Sequence, residues 1–528
     1  MNAVCILYGG SLTDEAFESV DGEGRSAFAG ALERAARFPG VEKVILLGRD
    51  DLRYPLPERA ADVAVDFALE TAPRWGVTAL CEAIARAEAG FGMVYFAWAD
   101  CPFLDAALAG RLADRHLRYA AEYSYADGWP AGLAPEVLKP GVAALLAALS
   151  RGSQGAADES APVRDTLFAV LQKDINAFDI ETEIAPVDLR QHRLTFAADS
   201  KRNLRLLRGF YEAGLRGADE AAGLIAKNAA RMRTLPAFFA VQVCSACPQD
   251  CPLCPWPARR AASGEAGLMS AAAFEALLDR IAAFAGDAVI DLSLWGEPAL
   301  HPEIARLALA VLARPTLALI IETAGIGWQE EALVTLAEVA KNAPVRADGM
   351  APLSWIVSLD ALDPARYAQV RGPGQAEAQE TAKRLASLFP NDTYVQAIRC
   401  EGAEDDIERF YTHWKGVMPK AKNVIIQKYD DFCGALPPLR AGDLSPLKRR
   451  PCWHLQRDLC ILADGTVPAC REDLGALTGK PALGVLGNAL SEPLEAIWER
   501  GAPLFASHCA GTYPGLCAEC DEYYTFNH

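Results

Sequence analysis

Strand-like apolar runs alternate with helical segments along the second half of the chain, and this alternation narrows the fold more than any other feature. The runs, each separated from the next by a helical segment, are residues 238–243, 288–294, 317–322, 353–359, 393–398 and 423–427. Alternating strands and helices favour a parallel sheet covered by helices, which is the α/β class. Six such units predict a partial (βα)6 barrel, in which chemistry takes place in the loops at the carboxyl ends of the strands.

The first half of the chain shows a similar alternation. Strands are predicted at residues 4–8, 41–47 and 93–97, and a helix at residues 26–38. This pattern predicts a separate α/β domain, followed by a connector in which apolar residues recur at helical spacing. The predicted organisation is an α/β domain at 1–196, a helical connector at 197–235, the barrel at 236–445 and a cysteine-rich tail at 446–528.

The composition narrows the class of protein. The 528 residues carry a formal net charge of −18, which argues against general binding to nucleic acid or to an anionic membrane. No apolar run is long enough to span a bilayer, and the first ten residues lack the basic segment that opens a signal peptide. We therefore expect a cytoplasmic protein with no nucleic-acid partner and no membrane span.

The fifteen cysteines are unevenly distributed. Cys5, Cys81 and Cys101 are scattered and are expected to be small buried apolar side chains. The other twelve follow residue 240, and most lie at 244–254 or 452–520. A disulfide scaffold is one interpretation, but such scaffolds belong to small secreted domains. Clustered cysteines in a long intracellular chain more often bind metal or carry out redox chemistry.

The first cysteine cluster lies in the loop after the first barrel strand and reads Cys244-Ser-Ala-Cys247-Pro-Gln-Asp-Cys251-Pro-Leu-Cys254. Thiolates are the usual ligands of iron–sulfur clusters. Three thiolates spaced CxxxCxxC would leave one iron of a four-iron cluster open to a small molecule, much as catalytic zinc keeps one open position. Two alternatives remain. The two CxxC pairs would be a crowded structural zinc site, or all four cysteines would close the iron–sulfur cluster.

This loop resembles that of the radical S-adenosylmethionine superfamily. Cys244 stands where that family has a residue that is not a ligand. The resemblance therefore implies that Cys247, Cys251 and Cys254 hold a [4Fe-4S] cluster, which is catalytic and cleaves S-adenosylmethionine reductively.

The resemblance continues in order along the barrel. The segment Trp295-Gly296-Glu297-Pro298 is similar to the family's GGEP motif, with tryptophan in place of the first glycine. In the family this Gly-Glu segment receives the methionine amino group, and the ends of the next two strands contribute groups that bind ribose and carboxylate. The residues thereby implied to bind S-adenosylmethionine are Gly296, Glu297, Pro298, Thr323, Ser358, Asp360 and Arg371.

The tail contains the second group of cysteines. Asp464-Gly465 is a hairpin-turn signal that would bring Cys452 and Cys470 together, and Cys517-Ala-Glu-Cys520 is a pair that can chelate one metal centre. The stretches at 484–488 and 494–498 resemble SPASM domains, which extend radical enzymes that modify peptides and related substrates. The resemblance implies one auxiliary [4Fe-4S] cluster on Cys452, Cys470, Cys517 and Cys520.

The other cysteines of the second half are either alternative ligands of the auxiliary cluster or thiols with no predicted role in it. Cys460 or Cys509 could replace one of the four predicted auxiliary ligands, whereas Cys400 and Cys433 are expected to be packed thiols. A zinc ion in the tail is the competing interpretation. The predicted organisation as a whole resembles spirochaete-type SPASM proteins, in which a nucleotidyltransferase-like domain precedes the radical barrel.

The first domain resembles cytidylyltransferases of the GT-A type. Asp100-Cys-Pro is similar to their metal-binding segment, and 127–133 to their YPxGLD stretch. In that family aspartate holds the Mg²⁺ that assists transfer of a nucleotide to a sugar acid or phosphate. Acidic residues, however, occupy the loop at 9–15, where a triphosphate needs positive charge, and Ala134 replaces a family aspartate. We therefore expect a domain that binds a nucleotide-sugar or only serves as a scaffold.

Two main hypotheses about function follow from these resemblances. The first is a radical enzyme that takes an electron from flavodoxin or ferredoxin and removes a hydrogen atom from an unknown peptide or envelope-related small molecule, with the auxiliary cluster assisting. The second is a nucleotidyltransferase or nucleotide-sugar-binding protein with an accessory iron–sulfur domain. A zinc-stabilised scaffold is a third interpretation.

Overall fold

A computed structural model of the protein describes residues 1–57, 64–152, 155–258, 267–344, 346, 349–474 and 481–525. The fold class is α/β, as predicted, because the described residues form two seven-stranded sheets in which most neighbouring strands are parallel. The chain divides into two compact units, the first from Met1 to Thr234 and the second over most of the remaining residues. The finer boundaries at residues 196 and 445 stay predictions.

The sheet of the first unit has the strand order β3-β2-β1-β4-β6-β5-β7, and only β6 runs antiparallel to its neighbours β4 and β5. All six residues of β1 are buried, because apolar clusters cover both faces of the sheet; Cys5 belongs to one cluster and Ile6 to the other. The three strands predicted in this unit correspond to β1, β2 and β4. Its strands are β1 (Ala3–Tyr8), β2 (Val41–Arg49), β3 (Asp66–Ala72), β4 (Met93–Trp98), β5 (Tyr123–Asp127), β6 (Glu136–Leu138) and β7 (Ile180–Ile184).

Helices of the first unit cover this sheet and continue into the predicted connector. The predicted helix at residues 26–38 begins after Ser26, whose side chain accepts the Ala29 N–H at 3.1 Å, and ends at Ala35. The segment predicted to be a connector contains two helices, Lys201–Glu212 and Ala218–Lys227, and its residues up to Thr234 belong to the first compact unit. The helices described in this unit are α1 (Ala27–Ala35), α2 (Val77–Ala87), α3 (Ala106–Arg118), α4 (Val142–Ser150), α5 (Thr166–Leu171), α6 (Lys201–Glu212) and α7 (Ala218–Lys227).

The sheet of the second unit is parallel throughout, with the order β13-β12-β11-β10-β9-β8-β14. The six strands predicted from the alternation are β8 to β13. The seventh, β14, comes from the cysteine-rich tail and pairs with the outer edge of β8, where Asp458 lies opposite Phe238. The strands are β8 (Phe238–Val241), β9 (Ala288–Asp291), β10 (Leu317–Thr323), β11 (Leu353–Ser358), β12 (Thr393–Arg399), β13 (Val424–Lys428) and β14 (Asp458–Ile461).

Helices connect the parallel strands and pack over one large apolar cluster. None of the helices in the described part of the chain is long and apolar enough to cross a membrane. The helices described in this unit are α8 (Ala271–Ala285), α9 (Ile304–Leu312), α10 (Glu330–Asn342), α11 (Pro364–Val370), α12 (Gln375–Leu388), α13 (Glu404–Val417), α14 (Trp453–Arg457), α15 (Leu494–Arg500) and α16 (Ala502–Cys509).

The predicted hairpin turn is present in the tail, but the strands on its two sides do not form a ladder with each other. Gly465 has a φ of +85°, and Asp464 Oδ1 accepts the Thr466 N–H at 2.9 Å, so the turn forms where it was predicted. The strand after it, β15 (Thr466–Pro468), pairs antiparallel with β16 (Val485–Asn488) instead of closing a ladder with β14.

Candidate functional site

A large cavity opens at the carboxyl ends of β8 to β11 in the second unit and encloses about 1500 Å³ of non-protein space, part of it open to solvent. Nine of the ten residues predicted to bind S-adenosylmethionine or its cluster line it. The tenth, Pro298, begins a short 3-10 helix beside the cavity. The nine lining residues are Cys247, Cys251, Cys254, Gly296, Glu297, Thr323, Ser358, Asp360 and Arg371.

The four cysteines of the first cluster divide into two classes. Cys247, Cys251 and Cys254 line the cavity and interact electrostatically with one another. Cys244 is buried outside the cavity lining, in an isolated bridge to Leu268. The arrangement therefore presents three thiols to the cavity and separates the fourth from them.

Burial disfavours the ionised form of these cavity thiols. It raises the pKa of Cys247 to about 11 and that of Cys254 to about 12, and the pKa of Cys251 is also raised. Thiols in such a setting need a bound cation to hold them as thiolates. The donor set therefore suits a metal centre better than a free nucleophile.

The loop after β9 lies close to the cysteine loop. A Cβ added to Gly296 would stand 1.8 Å from the Cys244 carbonyl oxygen, so only glycine fits there. The Glu297 N–H donates to the Ala246 carbonyl at 2.8 Å and ties the two loops together. Close packing of the two loops thus requires glycine at position 296, whether or not the residue also binds a ligand.

Trp295 occupies the position at which the resembled motif has glycine. Its φ of +47° is in the left-handed region that favours glycine, so the backbone keeps the conformation that a glycine would adopt there. Its indole stacks on Trp256, with ring centroids 6.0 Å apart and planes 9° from parallel. Both indoles line the cavity and form an aromatic wall.

Glu297 is 1% exposed, and the chain itself holds its carboxylate. Thr323 Oγ1 donates to one carboxylate oxygen at 2.6 Å, and the Ala324 N–H donates to the other at 2.7 Å. Burial raises the pKa of Glu297 to about 7, although these hydrogen bonds oppose the shift. The predicted residues Glu297 and Thr323 are therefore one hydrogen-bonded unit that joins the ends of β9 and β10.

Asp360 and Arg371 form a buried ion pair, with Arg371 Nη1 3.0 Å from Asp360 Oδ2. Arg371 Nε donates to Gln249 Oε1 at 3.1 Å, and the Cys251 thiol donates to the Arg371 carbonyl at 3.4 Å. The pair thus fixes the cysteine loop against the end of β11. Sequence patterns missed Gln249, because it is an unspecified residue of CxxxCxxC.

Two further carboxylates line the cavity at the ends of β9 and β10. Glu322 accepts hydrogen bonds from Ser358 Oγ at 2.9 Å and Gln396 Nε2 at 3.0 Å, which gives the predicted residue Ser358 a partner within the protein. Asp291 accepts the Ser293 hydroxyl at 2.6 Å, and burial raises its pKa to about 7. Sequence reasoning missed Asp291, which reads as an ordinary strand end.

Compared with the wild type, the Asp291→Asn variant is expected to have a second unit whose unfolding free energy becomes more favourable to the folded state as the pH rises. An aspartate whose pKa is raised in the folded state is protonated there between pH 4 and pH 7, whereas the unfolded chain is already ionised. Folded stability is therefore lost as the pH rises through this window, on the order of 4 kcal/mol in total. Asparagine can still accept the Ser293 hydrogen bond and does not titrate.

The measurement is the difference in unfolding free energy between the variant and the wild type at a series of pH values. The difference should grow between pH 4 and pH 7 and level off above that. A difference that does not change with pH would contradict the assigned shift.

Five thiols come together, four from the tail and one, that of Cys433, from the segment before it. Cys452, Cys470 and Cys517, three of the four predicted ligands, each interact electrostatically with the fourth, Cys520. The fifth is Cys433, whose thiol is hydrogen-bonded to that of Cys520. It was predicted to be a packed thiol and is indeed buried, but against other thiols.

The remaining tail candidates lie apart. Cys460 lines the large cavity beside Arg471, Cys509 is the last residue of α16, and Cys400 packs against Ala403 and Tyr429. Among the described residues, no group of three or more His, Cys, Asp or Glu side chains converges on the position of a single metal ion. A four-iron cluster is larger, and each of its thiolates binds a different iron, so its ligands need not converge in this way.

Replacing Cys433 tests whether its thiol is a hydrogen-bond donor to Cys520 or a ligand of the predicted auxiliary cluster. If the tail thiols hold the predicted auxiliary cluster, Cys433→Ala should keep the full iron content and lower the reduction potential of that cluster, because the thiol hydrogen bond to Cys520 is lost. Cys517→Ala is the matched control and should lose about four irons per chain. Iron analysis and a redox titration followed by electron paramagnetic resonance distinguish the two; loss of iron in Cys433→Ala would make Cys433 a ligand.

The predicted motifs of the first unit lie on its sheet. Asp127 ends β5 and pairs with the exposed Arg190 at 3.0 Å. A Cβ at Gly132 would stand 2.3 Å from the Phe196 carbonyl, so this glycine is needed for packing. Asp100 follows the end of β4.

Three solved structures share a loose similarity with this chain. BtrN in complex with AdoMet and 2-DOIA is 17% identical, with a TM-score of 0.35 over 56% of this chain and 94% of that one. Streptococcus suis SuiB bound to precursor peptide SuiA is 13% identical, with a TM-score of 0.36 over 63% and 76%. A cytidylyltransferase from Leptospira borgpetersenii is 15% identical, with a TM-score of 0.35 over 44% and 96%. Similarity this loose leaves the chemistry to be argued from the chain's own residues.

Comparison of sequences gives a firmer result. No protein-family model matches the chain. A protein of Treponema pallidum (strain Nichols) that carries the name "Uncharacterized protein" is 38% identical over 370 residues, which cover 68% of this chain and 98% of that protein. A second protein of that strain with the same name is 43% identical over 58 residues, or 11% of this chain and 26% of its own length. The chain therefore belongs to one family with the first of these Treponema pallidum proteins.

Proposed function

We propose that the second unit is a radical S-adenosylmethionine enzyme. The observation that carries the proposal is the division of the four clustered cysteines: three thiols spaced CxxxCxxC line one cavity, and Cys244 lies outside its lining. Three thiolate ligands leave one iron of a cubane for a small molecule, whereas four would close it. A [4Fe-4S] cluster, when bound, would supply the electron that splits S-adenosylmethionine into methionine and a 5′-deoxyadenosyl radical.

The chain's own residues have distinct parts in this proposal. Cys247, Cys251 and Cys254 would hold the cluster, and the ion pair of Asp360 and Arg371 keeps the cysteine loop in place. Glu297 places the backbone of the β9 loop, because its carboxylate is bound to Thr323 and Ala324. Carbonyl groups of this loop would accept hydrogen bonds from the methionine ammonium group, those of Trp295 and Glu297 in addition to the hydrogen bonds they already accept from Gln242 and Leu300.

The same cavity is proposed to receive the substrate. Its lining extends from the cysteine loop past the Trp256–Trp295 wall to Arg471, the residue next to Cys470. It therefore reaches from the proposed radical site to the neighbourhood of the tail thiols. A substrate in this position would lie between the proposed radical site and an auxiliary [4Fe-4S] cluster on Cys452, Cys470, Cys517 and Cys520, which would accept its electron or orient it.

The partners follow from this chemistry. We propose flavodoxin or ferredoxin as the low-potential electron donor, and a peptide or an envelope-related small molecule as the substrate. None of the fifteen cysteines forms a disulfide, which suits a reducing compartment, and we propose the cytoplasm.

Anaerobic reconstitution tests the proposal. The wild type should bind about eight irons per chain and, with dithionite, convert S-adenosylmethionine into equal amounts of methionine and 5′-deoxyadenosine. Metal analysis and the visible spectrum separate this outcome from a zinc scaffold, which would hold zinc and stay colourless. A reconstituted chain that holds both clusters and forms no 5′-deoxyadenosine would overturn the proposal.

A further inference from the structure

The resemblance of the first unit to cytidylyltransferases implies Mg²⁺ at Asp100, and the surroundings of that residue do not fit a metal. Asp100 is 3% exposed and follows the carboxyl end of β4. Its backbone carbonyl accepts the Ala198 N–H at 2.9 Å, which brings the segment before α6 alongside. A second carboxylate, that of Asp199, follows directly in this segment.

The guanidinium of Arg164 lies between the two carboxylates. Its Nη2 is 2.6 Å from Asp100 Oδ2 and 2.9 Å from Asp199 Oδ2. Its Nη1 lies 3.2 Å from the other Asp100 oxygen, so that both oxygens of Asp100 are bound by the same side chain. This is the bidentate geometry in which arginine binds carboxylates most strongly.

The remaining groups hold this arrangement in place. Asn203 Nδ2 donates to Asp199 Oδ1 at 2.7 Å, and the guanidinium carbon of Arg164 lies 5.0 Å from the centre of the Trp98 ring. Burial opposes the charge of Arg164, but the two carboxylates together raise its pKa well above the ordinary value. The guanidinium therefore stays charged at every pH at which the protein folds.

The loop after β1 also lacks the space that a phosphate group would need beside Gly10. A Cβ at Gly10 would stand 2.6 Å from Trp75 Cδ1 and from the Tyr8 hydroxyl, so aromatic side chains already fill the space beside it. The loop continues into acidic residues, where a triphosphate would need positive charge. The glycine here serves close packing of the chain.

We infer that Arg164 is the resident cation of the Asp100–Asp199 pair and takes the place of a divalent metal ion in the first unit. Divalent cations such as Mg²⁺ are bound through carboxylate oxygens, and here the guanidinium supplies the positive charge that such a pair requires. The first unit therefore needs no metal at this position and carries out no metal-dependent nucleotidyl transfer there. This inference does not rest on the proposed radical chemistry.

Binding of Mn²⁺ to the full-length, anaerobically reconstituted chain tests the inference, with electron paramagnetic resonance as the readout. The wild type should show no Mn²⁺ bound at Asp100. Arg164→Ala should gain about one Mn²⁺ per chain, at an affinity at least about tenfold above that of the wild type, because two carboxylates are left without a cation. Asp100→Asn in the Arg164→Ala background should remove the gain.

Arg190→Ala is the matched control, because Arg190 also bridges two carboxylates, those of Asp127 and Asp188, but at an exposed position. It makes the same change of charge and should gain no site. Arg164→Gln keeps most of the side chain's length without its charge and serves if alanine unfolds the unit. Mn²⁺ in the wild type that Asp100→Asn removes would overturn the inference, and so would folded Arg164 variants that gain none.

Discussion

Cys251→Ala is expected to abolish formation of 5′-deoxyadenosine and to lower the iron content from about eight to about four per chain. The Cys251 thiol donates to the Arg371 carbonyl at 3.4 Å and interacts electrostatically with Cys247 and Cys254, and alanine offers the cluster no ligand there. Two thiols and a buried arginine cannot replace a three-thiolate set. The measurement is chromatographic analysis of 5′-deoxyadenosine after anaerobic reduction, with iron analysis of the same sample.

Cys244→Ala is the matched control for this prediction, since it removes a thiol from the same loop but outside the cavity lining. It should keep about eight irons and most of the activity. If Cys244→Ala lost four irons and Cys251→Ala kept them, the division of the four cysteines would be wrong.

Arg371→Met is expected to lower the unfolding free energy of the second unit by about 3 to 5 kcal/mol. Arg371 is 13% exposed and Asp360 only 3%, so methionine would leave a buried carboxylate without its counter-charge. The change would also remove the hydrogen bond from Arg371 Nε to Gln249, while the hydrogen bonds from Gln249 Nε2 to Tyr367 and Pro373 remain. Weaker binding of S-adenosylmethionine should accompany the loss of stability. The loss of stability is measured by denaturation, followed through the visible absorbance of the clusters.

Arg384→Met is the control for Arg371→Met. Arg384 pairs with Glu330 on the surface, where water screens the charges, so its removal should leave the unfolding transition almost unchanged. Equal effects of the two substitutions would show that the buried pair has no special part in the fold of the cysteine loop.

The sequence predicted most of the second sheet because its strands carry their own signal. β8 to β11 are apolar runs that are almost fully buried, β12 and β13 are partly buried, and helices separate them all, so this pattern is local. The position of β14 was not predictable in the same way. It is a short strand in the tail, and only its pairing with β8, more than 200 residues away, makes it part of the parallel sheet.

The candidate site shows the same division between local and distant signals. The cysteine spacing and the Gly296-Glu297 segment were visible in short stretches of sequence. The contacts of Gln249 with Arg371, and of Cys433 with Cys520, join residues far apart in the chain and leave no local pattern. For the same reason, Arg164 could not be assigned to Asp100 before the fold was known.

The most direct test of the three-thiolate site is electron–nuclear double resonance on the reduced, reconstituted wild type with S-adenosylmethionine labelled in its amino group with the heavy nitrogen isotope. If Cys247, Cys251 and Cys254 leave one iron open, the spectrum should show hyperfine coupling between the cluster and the labelled nitrogen, and Cys244→Ala should keep it. A cluster that forms and is reduced but shows no coupling to the label would contradict the account.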